Sequence, residues 1–443
     1  MKPVVGEYMP LIPAGQERIG GARPMLSENP LEMDARMFRA MDQWRINSGL
    51  DPVFAGLSPD DMQRLGQLPA PVREELSRTA DQFLEMFPGQ AAKDMLALFS
   101  DPDLDIERCY NRLALAHPHV IQVMIDLGIL GQQASGKNLG VLDATIMPFR
   151  YRLQGGTLFQ LTDELNMALE NTGIAEDTPM AYFKAPYPSI YIRFGESPCS
   201  NIALQNQQSG RHVLEGAYVF EVSVTPHDRE GASLEKAERL GIDVTQPYRV
   251  IDLLFIGSPA GKRNFSDDTT LNISLLAQDP EETVGAMFER HIAHYAISHD
   301  DDTPWFGGLA EEDVSEYQAA VGHVAKALLF LNSSSVRKAL RRDRSEAEQA
   351  LSKLRSASKI RKAKRRALRL YDYVEVTPGV SIREAQGPEA GTRAVATHWR
   401  RGHLRQQSYG PRRTQRRLIW IAPTIVKADR ALEGSRKPYK AGV

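Results

Sequence analysis

The hydrophobic period of this chain changes near Gly156, and that change constrains the fold more than any other feature. Ahead of it, apolar residues recur every three or four positions. Met33, Met37, Met41 and Trp44 fall on one stripe, and Leu76, Phe83, Leu84 and Phe87 on another, before Met95, Leu98 and Phe99. That spacing stacks side chains on one side of an α-helix. Pro59, Pro69, Pro88, Pro102 and Pro118 cut the region into short helices. Past Gly156, the segments Ala181–Lys184, Ser189–Phe194, His212–Thr225, Tyr248–Ile256 and Leu271–Leu276 read as strands separated by turn residues. Two helices follow. One starts at Asp279-Pro280-Glu281-Glu282 and carries Val284, Met287, Phe288 and Tyr295; the other carries Val314, Tyr317, Val321, Val324, Leu328 and Leu331.

With 443 residues, the chain has room for several cores and reads as an α+β multidomain protein. The expected units are a poorly ordered, Pro/Gly-rich segment 1–30 and a helical domain 31–155. A mixed α+β domain 156–335 follows, its helices on one antiparallel sheet. Val336–Leu370 lacks Gly and Pro and carries 14 Lys and Arg against Asp343, Glu346 and Glu348. It predicts a basic helix over 336–376, about 50 Å long through residue 370 at about 1.5 Å per residue. A linker, 377–397, and a small basic α+β C-terminal module, 398–443, complete the chain.

The formal net charge of -2 conceals a separation. From Val336 onward, 28 Lys and Arg stand against nine Asp and Glu; ahead of it, 26 stand against 47. A basic third on an acidic body implies a polyanion partner for the former and a different task for the latter. No stretch approaches 18 apolar residues, and the N-terminus lacks the apolar run of a signal peptide. Cys109 and Cys199 lie far apart, without metal spacing, and read as reduced buried thiols. These features place the chain in the cytoplasm, with no metal and no cofactor expected.

The densest motif runs from His398 to Val426. No acid lies between Glu389 and Asp429, while Arg400, Arg401, Arg405, Arg412, Arg413, Arg416 and Arg417 are interleaved with His398, Trp399, His403 and Tyr409. Arginine forks suit phosphate oxygens, aromatic rings can stack on unpaired bases, and two histidines could serve as acid and base on a ribose phosphate. Gly402 and Gly410-Pro411 would let the backbone turn near a phosphate, and Leu418–Ile421 reads as a buried strand. Arg361, Lys362 and Arg365 add cations from the helix. Three readings fit: RNA or ribosome binding without chemistry, a metal-independent ribonuclease using His398 and His403, or a purely structural basic domain.

Other motifs are weaker. GQQASGKN, from Gly131 to Asn138, approximates a phosphate loop, but Asn138 stands where a magnesium-holding hydroxyl belongs and a helix precedes it. A glycine helix stop is the simpler reading. His291, His294 and His299 beside Asp300, Asp301 and Asp302 read as a helix end followed by solvated acids rather than a metal site.

Taken together, these segments resemble a family of type V-A anti-CRISPR proteins from phages and other mobile elements. The matching features are Asp177-Thr178-Pro179, the GAYVFE segment Gly216–Glu221, Ile251-Asp252-Leu253 and the Val284–Phe288 helix. They end with His398, Arg400, Arg401, Gly402 and His403, followed by Trp420 and Pro423. The chain departs from the family in its long helical start, in Leu404 where members carry tryptophan, and in a one-residue-wider spacing to Trp420 and Pro423. The resemblance implies a protein that lowers the type V nuclease by causing loss of its messenger RNA. The acidic body would recognise the emerging N-terminal polypeptide, and the basic end would engage the ribosome or messenger.

Overall fold

A computed structural model describes residues 30–126, 139–194, 199–206, 210–226, 232–259, 265, 268–296, 314–379, 384–385 and 398–426. Helices come first: α1 (Pro30–Asn47), α2 (Pro59–Gly66), α3 (Ala70–Ser77), α4 (Thr79–Glu85), α5 (Gln90–Ser100), α6 (Ile106–Ala116), α7 (Pro118–Asp126) and α8 (Leu139–Leu153). The local sequence starts them. At α2, Ser58 accepts from the Asp61 amide while Asp61 accepts from that of Ser58; at α6, Asp105 accepts from the Arg108 amide.

The sheet region begins with β1 (Thr157–Leu161), α9 (Asp163–Glu170) and β2 (Thr172–Ile174). There follow β3 (Ser189–Phe194), β4 (Cys199–Asn206), β5 (Gly210–Val224), α10 (Ala232–Arg239), β6 (Tyr248–Pro259) and β7 (Thr269–Ala277). Two helices, α11 (Val284–Ala296) and α12 (Val314–Leu331), lead to β8 (Val336–Arg342), α13 (Asp343–Ser352), α14 (Ala357–Ala367) and β9 (Asp372–Pro378). The described chain ends with β10 (Glu384–Ala385), β11 (His398–Arg400), β12 (Gly402–Tyr409), β13 (Gln415–Ile421) and β14 (Thr424–Val426).

The main sheet runs β7-β6-β5-β3-β1-β9-β8, with β4 also on β5. It is mixed, because β1 runs parallel to both β3 and β9 while the other pairs are antiparallel. Alternate residues of a strand face opposite sides, and both sides are apolar here. Ile190, Ile192, Phe194, Val219, Leu253 and Phe255 share one core with α9, α11 and α12. Tyr191, Tyr218, Phe220, Leu254 and Ile256 share another with the N-terminal helices, including Phe83, Met95, Phe99 and Phe149. Burying each such side chain contributes about 1.5–3 kcal/mol.

Helices therefore cover both faces of the mixed sheet. The helical region 31–155 is one wall of the same core, not a unit with a core of its own. Buried ionic groups fasten that wall. Glu215, at a bulge between β5 and β6, accepts from the Ala70 amide (3.0 Å), Arg73 (2.9 Å), Tyr191 (3.0 Å) and Ser258 (2.8 Å). Arg73 also pairs with Asp268. Farther along, Asp252 of β6 accepts from the Ile106 amide at the start of α6 (3.0 Å) and from Ser274 of β7 (2.6 Å).

The long basic helix is absent. Val336–Arg342 is an edge strand, with Val336 opposite Pro378 and Arg342 opposite Asp372. Its backbone completes the hydrogen bonding of β9, whose Val376 is fully buried, and that tertiary demand overrides local helix preference. The remainder divides into α13 and α14. Asp372 ends the strand pairing and caps α13, accepting from the amides of Arg344 (3.0 Å) and Ser345 (3.1 Å).

Other expectations also change. Ala181–Lys184 is not a strand; Met180–Tyr182 forms one 3-10 turn, and the Met180 and Ala181 amides bond to Glu282 and Pro280 oxygens. The helix expected at Asp279 consequently begins at Val284, capped by Thr283, which accepts from the Ala286 amide. The basic ending is not a free-standing module, since β12 runs parallel to β2 and Leu404, Leu418 and Trp420 join the α12 core. Cys109 is buried and free, and burial pushes its thiol up to about 11. Segment 1–29, Gly131–Asn138, His299 to Asp302 and most of 377–397 lie outside the described residues.

Candidate nucleic-acid interface

The candidate interface is built on the β12–β13 hairpin, in register from His403 opposite Ile421 to Tyr409 opposite Gln415. Its base is anchored. Leu404, Leu418 and Trp420 are buried on one face, and the Trp420 ring stands edge-on to Phe330 at 5.0 Å. Trp420 Nε1 donates to Thr172 Oγ1 at 3.1 Å, fixing the hairpin to β2. Gly402 sits where β12 meets the chain beyond β13. A Cβ there would lie 2.6 Å from the Ile421 oxygen and 2.7 Å from the Pro423 nitrogen. This glycine serves close backbone packing, not a phosphate.

The far end is open. Every residue from Tyr409 to Arg417 is exposed. Gly410 (φ +77°) turns the chain into a short 3-10 segment, in which Arg412 and Arg413 hold left-handed φ values of 52° and 56°. Strand alternation puts Arg405, Tyr409 and Arg417 on one face and Arg416 on the other, with Arg412 and Arg413 at the tip. The Arg417 guanidinium lies over the Tyr409 ring, 5.2 Å from its centroid. That ring face is occupied by a cation–π contact.

The remaining candidates are dispersed. His403 is half-buried on the face that carries Arg405, and Arg401 is exposed beside it. His398 and Arg400 stand on β11, which pairs with β14 in a separate sheet; their side chains lie outside the described set. The two histidines thus share no ladder. On α14, Arg361 and Lys362 are exposed, whereas Arg365 binds Asp61 (2.9 Å) and the Gly56 oxygen (2.5 Å).

Neighbouring cations are likewise engaged with the helical wall. Arg369 pairs with Asp61, Lys364 with Asp51 (3.4 Å) and Arg344 with Glu75 (3.1 Å). Part of the positive charge of segment 336–370 is thus balanced within the chain. The sequence hid this because the partners lie some 300 residues upstream.

Among the described residues, no group of three or more His, Cys, Asp or Glu side chains could hold a metal ion. His291 is buried, with its Nε2 accepting from the Leu276 amide and its Nδ1 against the Met287 oxygen, each at 2.8 Å. Burial lowers its pKa to about 3, so it is a neutral core residue. No described helix is long and apolar enough to cross a membrane.

Comparison with known proteins adds a family. A family model described as AcrVA2-like, the anti-CRISPR type V subtype A2 family, matches residues 159–428. That span holds the main sheet from Phe159 of β1 onward and the basic hairpin, and leaves out the helical wall. A crystal structure of AcrVA2 aligns at 13% identity with a TM-score of 0.36, covering 79% of this chain and 98% of that one. No curated protein matches the chain.

Proposed function

Because the chain belongs to the anti-CRISPR type V subtype A2 family, we propose that it is an anti-CRISPR protein acting after transcription, causing loss of the type V nuclease's messenger RNA. In this reading the basic hairpin engages RNA or the ribosome, while the acidic body takes the nuclease's emerging N-terminal polypeptide. The observation that carries the RNA half is the exposed run Tyr409–Arg417, held on an anchored base and bearing four arginines. Arginines without carboxylate partners at a solvent-exposed end suit phosphate oxygens. Binding without cleavage is favoured, since His398 and His403 stand on strands of different sheets.

The test is made in cells that express the type V nuclease. The parent should lower its message several-fold, and the variant with Arg412, Arg413, Arg416 and Arg417 all changed to Ala should not. That variant should fold normally, because exposed arginines contribute within about 0.5 kcal/mol of stability. An unchanged message in the presence of the parent would defeat the proposal. Cleavage of purified naked RNA by the parent, lost in His403→Ala, would replace it with the ribonuclease reading.

A further inference from the structure

The hairpin can be assigned a narrower ligand than RNA in general, an inference that rests on the proposed RNA contact of the same site. Three observations bear on it. First, the end of the hairpin offers at most one face of one described ring for stacking. Tyr409 is covered on one face by Arg417, and Trp420 is buried and bonded to Thr172. Single-strand binders depend on such platforms, because bases stack on open aromatic faces.

Second, the cations are distributed around the hairpin rather than along one side. Arg405 and Arg417 project from one face, Arg416 from the other, and Arg412 and Arg413 from the tip. A single strand passing along one face would leave the opposite cation without a phosphate. A groove of a double helix has a row of phosphates on each side.

Third, the exposed end is slim. It is two strands wide, and three residue pairs, Gln407–Arg417 to Tyr409–Gln415, separate the buried Leu418 from the turn. At about 3.4 Å per residue, that is an arm of roughly 10 Å before the tip. A major groove about 12 Å wide admits a two-stranded ribbon, whereas that of continuous A-form RNA is too narrow.

We infer that the β12–β13 arm enters the groove of paired RNA that has been opened by a bulge or junction, with its tip and both faces set against phosphates. Bases are not stacked on the arm. The two faces make separate contributions, and each arginine that meets a phosphate releases counterions on binding.

The experiment uses the full chain and four probes of matched length: a bulged RNA hairpin, a continuous RNA duplex, a single-stranded RNA and a B-form DNA duplex. The bulged RNA should bind at least about ten-fold more tightly than the single strand. Arg416→Ala and Arg417→Ala, on opposite faces, should each flatten the slope of log affinity against log salt by about one. Equal or tighter binding of the single strand would overturn the inference and leave the RNA reading standing. An Arg416→Ala variant indistinguishable from the parent would overturn two-faced contact in the same way. Failure to bind any RNA, or preference for the DNA duplex, would overturn the proposed RNA contact as well.

Discussion

At the scale of single residues, the hairpin's anchor and the titrating groups of the helical wall carry the sharpest expectations. Trp420 is buried, bonded through its indole to Thr172, and packed on Phe330. Trp420→Ala should cost about 3–5 kcal/mol in unfolding free energy, read by denaturant titration, because truncating a buried aromatic leaves a cavity. Glu74 behaves differently. Burial pushes its carboxyl from the ordinary 4.5 up to about 7, against the lowering effect of its bond from the Ala80 amide. A folded-state value above the unfolded one means stability that is present at pH 4.5 and lost as the pH rises through 7. Glu74→Gln should remove that loss, on the order of 2–3 kcal/mol by pH 8. His291 and His323, lowered to about 3 by burial, act in the opposite sense below pH 6.5. Both histidines are common to parent and variant, so the measurement is the parent–variant difference across pH 4.5–8; a difference that does not change with pH would refute the assignment.

At the scale of elements, what the sequence discloses depends on whether the deciding partner is local. The period of two over residues 189–194, 212–225 and 248–256 is a property of each strand, and β3, β5 and β6 appear there. The helical stripes of α1, α3, α4 and α5 were legible for the same reason, with Phe83, Phe87, Met95 and Phe99 all buried. Val336–Arg342 was not legible, since nothing within it announces a strand; β9, some 30 residues later, decides it. The basic hairpin was visible as composition, yet the role read for Gly402 is one that packing contradicts, since Gly402 lies against Pro423. The contact of Arg417 with one face of the Tyr409 ring has no signal in the sequence. Asp372, invisible as a cap in the sequence, receives both the Arg344 and Ser345 amides. Asp372→Ala should lower stability by about 1 kcal/mol, the ordinary value of a helix cap, whereas Asp372→Asn should keep most of it. Thermal unfolding of the two variants side by side distinguishes a cap from a surface charge.

At the scale of the whole molecule, the family match begins at residue 159, but the core does not. The helical wall covers Tyr191, Tyr218, Phe220, Leu254 and Ile256 and supplies Arg73 to the buried Glu215. Residues 156–443 expressed alone should therefore aggregate, since one sheet face would be uncovered and Glu215 would lose its Arg73 counter-charge. Monomeric, cooperatively unfolding material from that fragment would contradict this. The position of β9 has a further consequence, in time rather than space. β1 lies in the middle of the sheet and is made early, yet one of its neighbours is β9, and the paired residues Phe159 and Val374 are about 215 positions apart. At about 5–20 residues per second, the ribosome needs roughly 10–40 s to deliver the second after the first. Throughout that interval the chain is a half-built sheet with an open seam, so chains arrested before residue 370 should be digested by protease while released full-length chains resist it.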